Sequence, residues 1–530
     1  MNQTIPAFLR LHRGPLFWPA FAFGLCVFVL SRWLPGVSDG GNPGDVLFLD
    51  QAFVQVLQEQ PGVYGVLEGV PQTFGARVLP RYLLAGVSIF TGDLARAGIW
   101  LSLAALVVAL AGMYELSLSI FPFRPFAIAT VAAFAGLGAV QSGLAPDPSV
   151  ALGMALVVWG LTSFFTALEK VIPERIFLSA FLIGLAGYVQ IELSLIWVLL
   201  ASYLLSLTLY NSPARSRRVP LVGMAFGGLL MVLAVLWPMI NRNLLLAQSP
   251  ILPGYDAQLL LGAPAASSAA NSLGLTSRFL NGFRMLATDA GALGIFIGLL
   301  WPLGIVLCTL LNRHKALPFF WVPFMILWVL VLTVMSPVTG LTSFQTCLRI
   351  TTPLLAPFAV LVLVYPLFHW FQSHEAPPGR LALGSAGLVA AAFFCAVLPR
   401  VLTGGAVEAD GTHARMEVVI RLFEEQPELR NSPLLTDRPG IFLGHGKQQV
   451  HGLNGETDWS IMLAKTSDGS IQPEALLAYL RQNDIRVIHL ARHDDPLLEQ
   501  LAGVQDFPGG ELMKVAPPHR VYRLNSFEPL

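Results

Sequence analysis

The sequence predicts a polytopic α-helical membrane protein with about eleven transmembrane helices, followed by a small C-terminal α/β domain. Over half of the 530 residues, 55%, are hydrophobic, and the mean hydropathy is +0.65, as is typical of membrane proteins. Apolar stretches of about 20 residues, the length of a spanning helix, recur along residues 1–399. From residue 400 to 530 the charge density rises and the apolar runs shorten, which indicates a separate domain.

The predicted spans are defined by apolar length. They cover residues 15–35, 98–120, 125–144, 149–168, 175–190, 192–210, 219–240, 290–311, 317–336, 351–371 and 380–398. The first has a basic flank but no small-residue cleavage site, so we expect an uncleaved helix. The fifth and sixth are divided only by "VQIE" at 189–192, which we interpret as a tight hairpin because one continuous helix would overshoot the bilayer.

Basic residues predict the orientation of the spans. They cluster before the first span and in alternate short connections, at Arg10, Arg13, Arg124, Arg215, Arg217, Arg218, Arg313 and Lys315. By the positive-inside rule these connections and the N-terminus are cytoplasmic. Eleven crossings then place the C-terminal domain outside, together with two long loops at 36–97 and 241–289.

Helical periodicity within the first outer loop predicts interfacial segments. "DVLFLDQAFVQVLQ" carries an apolar stripe, and "ARVLPRYLLAGVSIF" at 76–90 is a second such stretch. In the tail, "ARMEVVIRLFEEQ" predicts a helix and "SPLLTD" a buried strand. "PEALLAYLRQND" followed by "IRVIHLA" predicts an αβ unit, and "ELMKVAPPHRVYRL" predicts a hairpin. We expect His413, His445 and His451 in solvated loops.

Charge and motifs exclude several classes of function. The 32 basic residues balance the 32 acidic ones, so no basic face for nucleic acid is expected. The four cysteines have neither zinc-site spacing nor a disulfide-scaffold pattern. No GxxxxGK[ST] phosphate loop is present.

Acidic residues collect on the predicted outer side, where ionisable groups near a bilayer point to function. They are Asp39, Asp45, Asp50, Glu68, Asp147 and Glu192. Asp45 suits either a helix N-cap or a general base above the membrane surface. Asp147 opens the fourth span between two prolines, where capping of the helix is the simplest role. Asp50 suits a solvated face or a neighbour of Asp45, and Asp39 suits a turn.

Arginines collect on the same side. They are Arg77, Arg81, Arg242, Arg278, Arg284 and Arg349. Arg77 and Arg81 have i, i+4 spacing, although Pro80 argues against a regular helix there. Arg242 follows the seventh span in "WPMINRN", and Arg349 precedes the tenth. Such side chains either snorkel to lipid headgroups or bind a phosphate in bidentate fashion.

This placement of acidic loop, Pro-Asp, "WPMINRN", arginine and outer α/β domain resembles the GT-C superfamily of membrane glycosyltransferases. The similar branch contains the protein mannosyltransferases and the lipid A aminoarabinose transferase. The resemblance implies an inverting transfer of sugar from a polyprenyl-phosphate-linked donor to a lipid, glycan or protein acceptor at the bacterial inner membrane. The chain differs in two places, since Val46 replaces the Glu of an Asp-Glu pair and "RVLPRYL" lacks a Lys-Pro-Pro stretch.

The resemblance also implies roles for the outer residues. Asp45 matches the catalytic base and Asp147 the second acid, while Arg242, Arg349 and more loosely Arg81 match donor-phosphate ligands. Asp50 and Arg77 are further candidate substrate-binding residues. No cofactor or metal is required, since cationic groups can stabilise the leaving phosphate. Two alternatives remain open: a polymerase or ligase of surface polysaccharide, and a transporter or flippase.

Overall fold

The computed structural model describes most of the predicted helices and the tail's sheet. The described residues are 78–91, 94–121, 124–137, 148–170, 172–210, 215–247, 291–311, 321, 324–333, 341–373, 412–436, 442, 449–452, 473–490, 510–513 and 520–524. The predicted spans 15–35 and 380–398 lie outside these ranges, as does most of both outer loops.

Helices dominate the chain up to residue 373. They are α1 (Val78–Thr91), α2 (Leu94–Ile120), α3 (Arg124–Gly136), α4 (Ser149–Lys170), α5 (Glu174–Ala186), α6 (Leu195–Tyr210), α7 (Arg215–Ala247), α8 (Gly291–Leu311), α9 (Phe324–Thr333), α10 (Leu341–Thr351) and α11 (Ala356–Ser373). Short 3₁₀ turns, Ile191–Ser194 and Thr352–Leu355, precede α6 and α11.

Three helical stretches in the described part of the chain are long and apolar enough to cross a membrane. They are Ala97–Ile120, Ser149–Leu168 and Thr346–Pro366. Shorter apolar helices are Phe126–Ala135, Ile191–Ser206, Val222–Pro238, Leu300–Leu311 and Phe324–Thr333. The chain is therefore a largely helical membrane protein, and the count of about eleven spans stays a prediction.

Two sequence expectations are corrected. The helix around Arg242 continues to Ala247, so the outer loop does not begin at 241. Pro80 does not prevent a helix, because it lies in the first turn of α1, where a missing N–H leaves no hydrogen bond unmade.

Other expectations are confirmed by the helix boundaries. Helix α5 ends at Ala186, a turn follows, and the 3₁₀ turn leads into α6, so the chain breaks at "VQIE" as predicted.

The helical core is built largely from aromatic and branched side chains. Phe164 and Trp197 meet edge to face with ring centroids 6.1 Å apart, and Trp321 packs similarly on Phe358 at 5.2 Å.

The tail forms a mixed five-stranded sheet with helices α12 (Thr412–Glu425), α13 (Pro427–Asn431) and α14 (Pro473–Gln482). The strands are β1 (Leu434–Thr436), β2 (Val450–Gly452), β3 (Val487–Leu490), β4 (Gly510–Met513) and β5 (Arg520–Leu524), in the order β2-β1-β3-β5-β4. Strands β1, β2 and β3 are parallel, and β4 and β5 form the predicted antiparallel pair. The domain boundary at residue 400 stays a prediction.

Two histidines contribute polar contacts inside this sheet. His489 is buried and its Nδ1 lies 2.9 Å from the Thr436 hydroxyl. His451 was expected in a solvated loop but lies in β2, with Nδ1 2.9 Å from the Tyr479 hydroxyl. The loop expectation failed because the short run "VHG" lacks a clear alternating pattern.

The close packing of α8 on α11 requires a residue without a side chain at Gly304, and this requirement can be tested. A Cβ at this position would overlap the backbone carbonyl of Phe358. Gly304→Ala is expected to lower the free energy of unfolding by about 1–3 kcal/mol, because the two helices would have to separate. Thermal unfolding of the detergent-solubilised chain measures this loss.

The matched control is Gly223→Ala in α7, where an added Cβ meets open space. Removing a helix-interior glycine there is expected to be neutral or to stabilise by up to about 1 kcal/mol. Equal melting temperatures for the two variants would contradict the close approach of α8 and α11.

Candidate functional site

Several polar elements meet at one end of the helix bundle, where α4 begins and α5 ends. We call this region the polar end and define it by Arg81, Tyr188, Glu192, Cys347 and Arg349. Arg81 belongs to α1, Tyr188 and Glu192 to the turns after α5, and Cys347 and Arg349 to α10, so the fold brings three distant parts of the chain to this region.

Helix α1 is attached to the turn that follows α5. The backbone N–H of Leu79 donates to the carbonyl oxygen of Tyr188 over 3.4 Å. Two residues further along α1, Arg81 is only 1% exposed. A buried guanidinium requires compensating partners, and Arg81 does interact with other groups of the protein. The arginine on the α1 face is therefore part of the packed structure.

The turn itself is fixed against α7. The Tyr188 hydroxyl donates to the carbonyl oxygen of Val235 over 2.5 Å. A Cβ on Gly187 would lie 2.8 Å from Cδ2 of Leu236 and 3.0 Å from the carbonyl oxygen of Gly184. Only a residue without a side chain fits this approach, which explains the glycine just after α5.

Glu192 lies in the 3₁₀ turn that follows and is 1% exposed. The turn that holds this buried carboxylate is the one attached to α1 through Leu79.

Helix α10 also packs on the start of α4. A Cβ on Gly153 would lie 2.5 Å from Cδ1 of Ile350, so the two helices approach closely one turn after α4 begins. Thr351 accepts a hydrogen bond of 3.0 Å from the Trp328 indole, which joins α9 to α10. Arg349, on the same helix, is exposed. The contacts bury one side of α10 and leave the arginine accessible.

Of the predicted site residues, Arg81 and Arg349 have side chains that the structure describes, one buried and one exposed. Arg242 lies in the last turns of α7, beyond the apolar stretch that ends at Pro238, and its side chain lies outside what the structure describes. Asp45, Asp50, Arg77 and Asp147 fall outside the described residues, although Asp147 directly precedes Pro148 and α4. Their roles stay predictions.

Glu192 was not among the predicted site residues. The sequence does contain its signal, because a lone carboxylate interrupts a long apolar run at the fifth and sixth spans. Its burial could not be read from that signal, since burial depends on the packing of helices that are distant in sequence.

A search for clusters of three or more His, Cys, Asp and Glu side chains finds none in the described ranges. The polar end instead combines buried and exposed cationic groups with one buried carboxylate. Such a set can bind an anion and hold it at the membrane boundary.

The Tyr188 hydrogen bond gives a test of how firmly the turn is held. Tyr188→Phe is expected to lower the free energy of unfolding by about 1 kcal/mol, because the Val235 carbonyl loses its hydroxyl donor. The measurement is thermal unfolding in detergent. Tyr365→Phe in α11 is the control, since its described contact is a ring contact with His369, which phenylalanine can keep. An equal effect of both substitutions would contradict the anchoring role.

No protein-family model and no curated protein matches the sequence. Solved structures do show similarity. The Archaeoglobus fulgidus oligosaccharyltransferase bound to Zn and sulfate is 11% identical with a TM-score of 0.45, covering 89% of this chain and 67% of that one. The same enzyme tethered to an acceptor peptide is 10% identical with a TM-score of 0.49, covering 91% and 69%.

Arabinofuranosyltransferase AftD from Mycobacteria is 16% identical with a TM-score of 0.45. The match covers 97% of this chain, which spans 40% of the length of AftD. At such values a mechanism has to be inferred from the chain's own residues. The proteins in these matches are an oligosaccharyltransferase and an arabinofuranosyltransferase.

Proposed function

We propose that the chain is an inverting membrane glycosyltransferase that moves a sugar from a polyprenyl-phosphate-linked donor to an acceptor. The acceptor is a lipid, glycan or protein of the cell envelope at the outer face of the bacterial inner membrane. The observation that carries this proposal is the polar end, where exposed Arg349 and buried Arg81 and Glu192 lie at one end of an apolar bundle.

The position of buried charge favours this function over transport. In the described helices up to residue 373, the charged side chains with the least exposure are Arg81 and Glu192, and both belong to the polar end. A transporter is expected to place polar groups near the middle of interrupted helices. An enzyme acting on a lipid-linked phosphate needs its charges at the membrane boundary, where the lipid headgroup lies.

The proposed reaction replaces one bond at the anomeric carbon. Asp45 removes the proton from the acceptor hydroxyl. The oxygen of that hydroxyl attacks the anomeric carbon as the proton leaves. The bond from this carbon to the phosphate oxygen breaks on the opposite face, and polyprenyl phosphate leaves with the electron pair. Attack from the opposite face inverts the anomeric configuration.

The remaining candidate residues act on the two partners. Arg349, Arg242 and Arg77 are proposed ligands of the leaving phosphate, whose developing charge they stabilise where the dielectric is low. Arg81 is buried, so we assign it a contribution to the local positive field instead of direct contact. Asp147 acts as the second acid and Asp50 as a neighbour of Asp45.

No metal is part of the proposal. Phosphate is already a good leaving group when arginines stabilise its charge, so metal assistance is not needed. The C-terminal α/β domain is placed in the periplasm, where it positions the acceptor or covers the site.

Asp45→Asn tests the base. The variant is expected to lose about 10²- to 10⁴-fold in transfer rate, because an amide does not accept the hydroxyl proton. Transfer from a radiolabelled polyprenyl-phosphate sugar in membrane vesicles measures the rate. Asp39→Asn, in the same loop, is the control and is expected to keep normal transfer. Near-normal activity of Asp45→Asn would remove Asp45 from the mechanism and favour a polymerase or ligase that relies on arginine and histidine.

Arg349→Ala tests the donor contact. The apparent KM for the donor is expected to rise about ten- to hundredfold, because a charge-assisted contact to phosphate is lost. Arg349→Lys is expected to recover only part of the affinity, since an ammonium does not bind in bidentate fashion. Arg486→Ala, exposed in the tail, is the matched control. An unchanged donor KM in Arg349→Ala would exclude this residue from the site.

A further inference from the structure

Helix α1 carries its single charge on the side that is buried. That charge is Arg81, which is 1% exposed. In the described part of α1, the exposed residues are instead Gly86, Ile89 and Phe90, with Ile89 71% and Phe90 89% exposed. A helix that borders water is expected to show the reverse arrangement, with its apolar side packed and its charge outward. The outward side of α1 is therefore suited to an apolar partner.

The exposed residues of α1 form one side of the helix. At about 100° per residue, Gly86, Ile89 and Phe90 fall within a sector of about 100° that is centred opposite Leu84. Leu84 packs on Ala97 of α2 in a small apolar cluster. Helix α1 thus lies against α2 with one side and turns its exposed side away from it.

The side of α2 that α1 covers becomes exposed further along the same helix. Ala97 is buried at the start of the span Ala97–Ile120. Ala104 and Val108, two and three turns further on, lie within about 20° of the direction of Ala97, and both are exposed. The exposed apolar side of a spanning helix contacts acyl chains. Helix α1 therefore lies on the lipid-facing side of α2, and its own outward side continues that surface.

The length and the ends of α1 restrict it to one leaflet. Its 14 residues extend about 21 Å, which is less than the hydrocarbon core of about 30 Å. Its first turn is attached to the polar end through Leu79 and Tyr188, and its last turn leads directly into α2. Trp100 lies one turn into the span of α2 and is 61% exposed, as is typical of tryptophan at a bilayer boundary.

We propose that α1 inserts its outward side, formed by Gly86, Ile89 and Phe90, among the acyl chains of the leaflet at the polar end. These side chains offer neither a charge nor a hydrogen-bonding group, so acyl chains suit them better than lipid headgroups or water. Acyl chains that contact Ala104 and Val108 reach this side along a continuous surface, which favours lipid over a protein partner.

Photocrosslinking of the full chain in lipid nanodiscs tests this contact and needs no enzymatic activity. Phe90→p-benzoylphenylalanine is expected to form lipid adducts, which mass spectrometry of the purified chain detects. The same substitution at Val108 is the control for contact with lipid. The same substitution at Val418, an exposed residue of α12 in the tail, is the control for exposure without insertion.

A lipid-adduct yield at Phe90 within about threefold of the yield at Val108 is the expected result. Three results overturn the proposal: a yield no higher than that at Val418, adducts to another part of the same chain, and adducts to a second copy of the chain. The last two would show that protein covers this side of α1.

A charge placed on the outward side gives an independent measurement. Phe90 is 89% exposed, so Phe90→Glu removes little packing within the protein. Insertion predicts that its melting temperature in nanodiscs falls by about 2–4 °C, because a carboxylate is brought among acyl chains. Val418→Glu is the control and is expected to melt like the wild type. An unchanged melting temperature for Phe90→Glu overturns insertion, and if this variant fails to fold, the crosslinking with an apolar aromatic group decides.

Discussion

The free-energy cost of taking charge out of water is the constraint on which this structure depends. The chain has 55% hydrophobic residues and only 12% charged ones. Ionisable groups cost the least free energy at helix ends and in outer loops, where they can reach water. Glu192 and Arg81 are buried, unlike most charged residues, but they still lie near a helix end, beside the turn that follows α5. The same cost that keeps the bundle apolar therefore confines the buried charges of the described helices to one end.

Small residues determine how closely the helices and turns pack against one another. Gly153 lets α10 approach α4, Gly187 lets the turn approach α7, and Gly304 lets α8 approach α11. In a membrane, helix association depends on such close packing because lipid offers little hydrophobic driving force between helices. The glycines thereby set the distance between elements that carry polar side chains but are far apart in sequence.

Local patterns were sufficient to predict much of the fold. The apolar run at 175–210 and its polar interruption predicted the break between α5 and α6, and the tail's periodicity predicted α12, α14, β3 and the β4–β5 pair. The site was predicted less well. Helix α7 continues through Arg242 because "NRNLLLA" has no helix-breaking residue, and the apolar length of a span does not determine where its helix ends. The close approach of Gly153 to Ile350 joins residues far apart in sequence, and no local pattern encodes it.

The burial of Arg81 and the exposure of Arg349 imply different tasks for two residues that the sequence treats alike. A phosphate can reach an exposed guanidinium without opening the packed structure, whereas contact with a buried one would require its surroundings to move. In the proposed reaction, Arg349 is therefore suited to a ligand that binds and departs in each turnover, and Arg81 to a permanent charge. A permanent positive charge behind the site would lower the energy of an anionic leaving group without trapping it. With Arg81 as the permanent charge and Arg349 as the contact that forms and breaks, the proposed enzyme would stabilise the transition state strongly and still release its product.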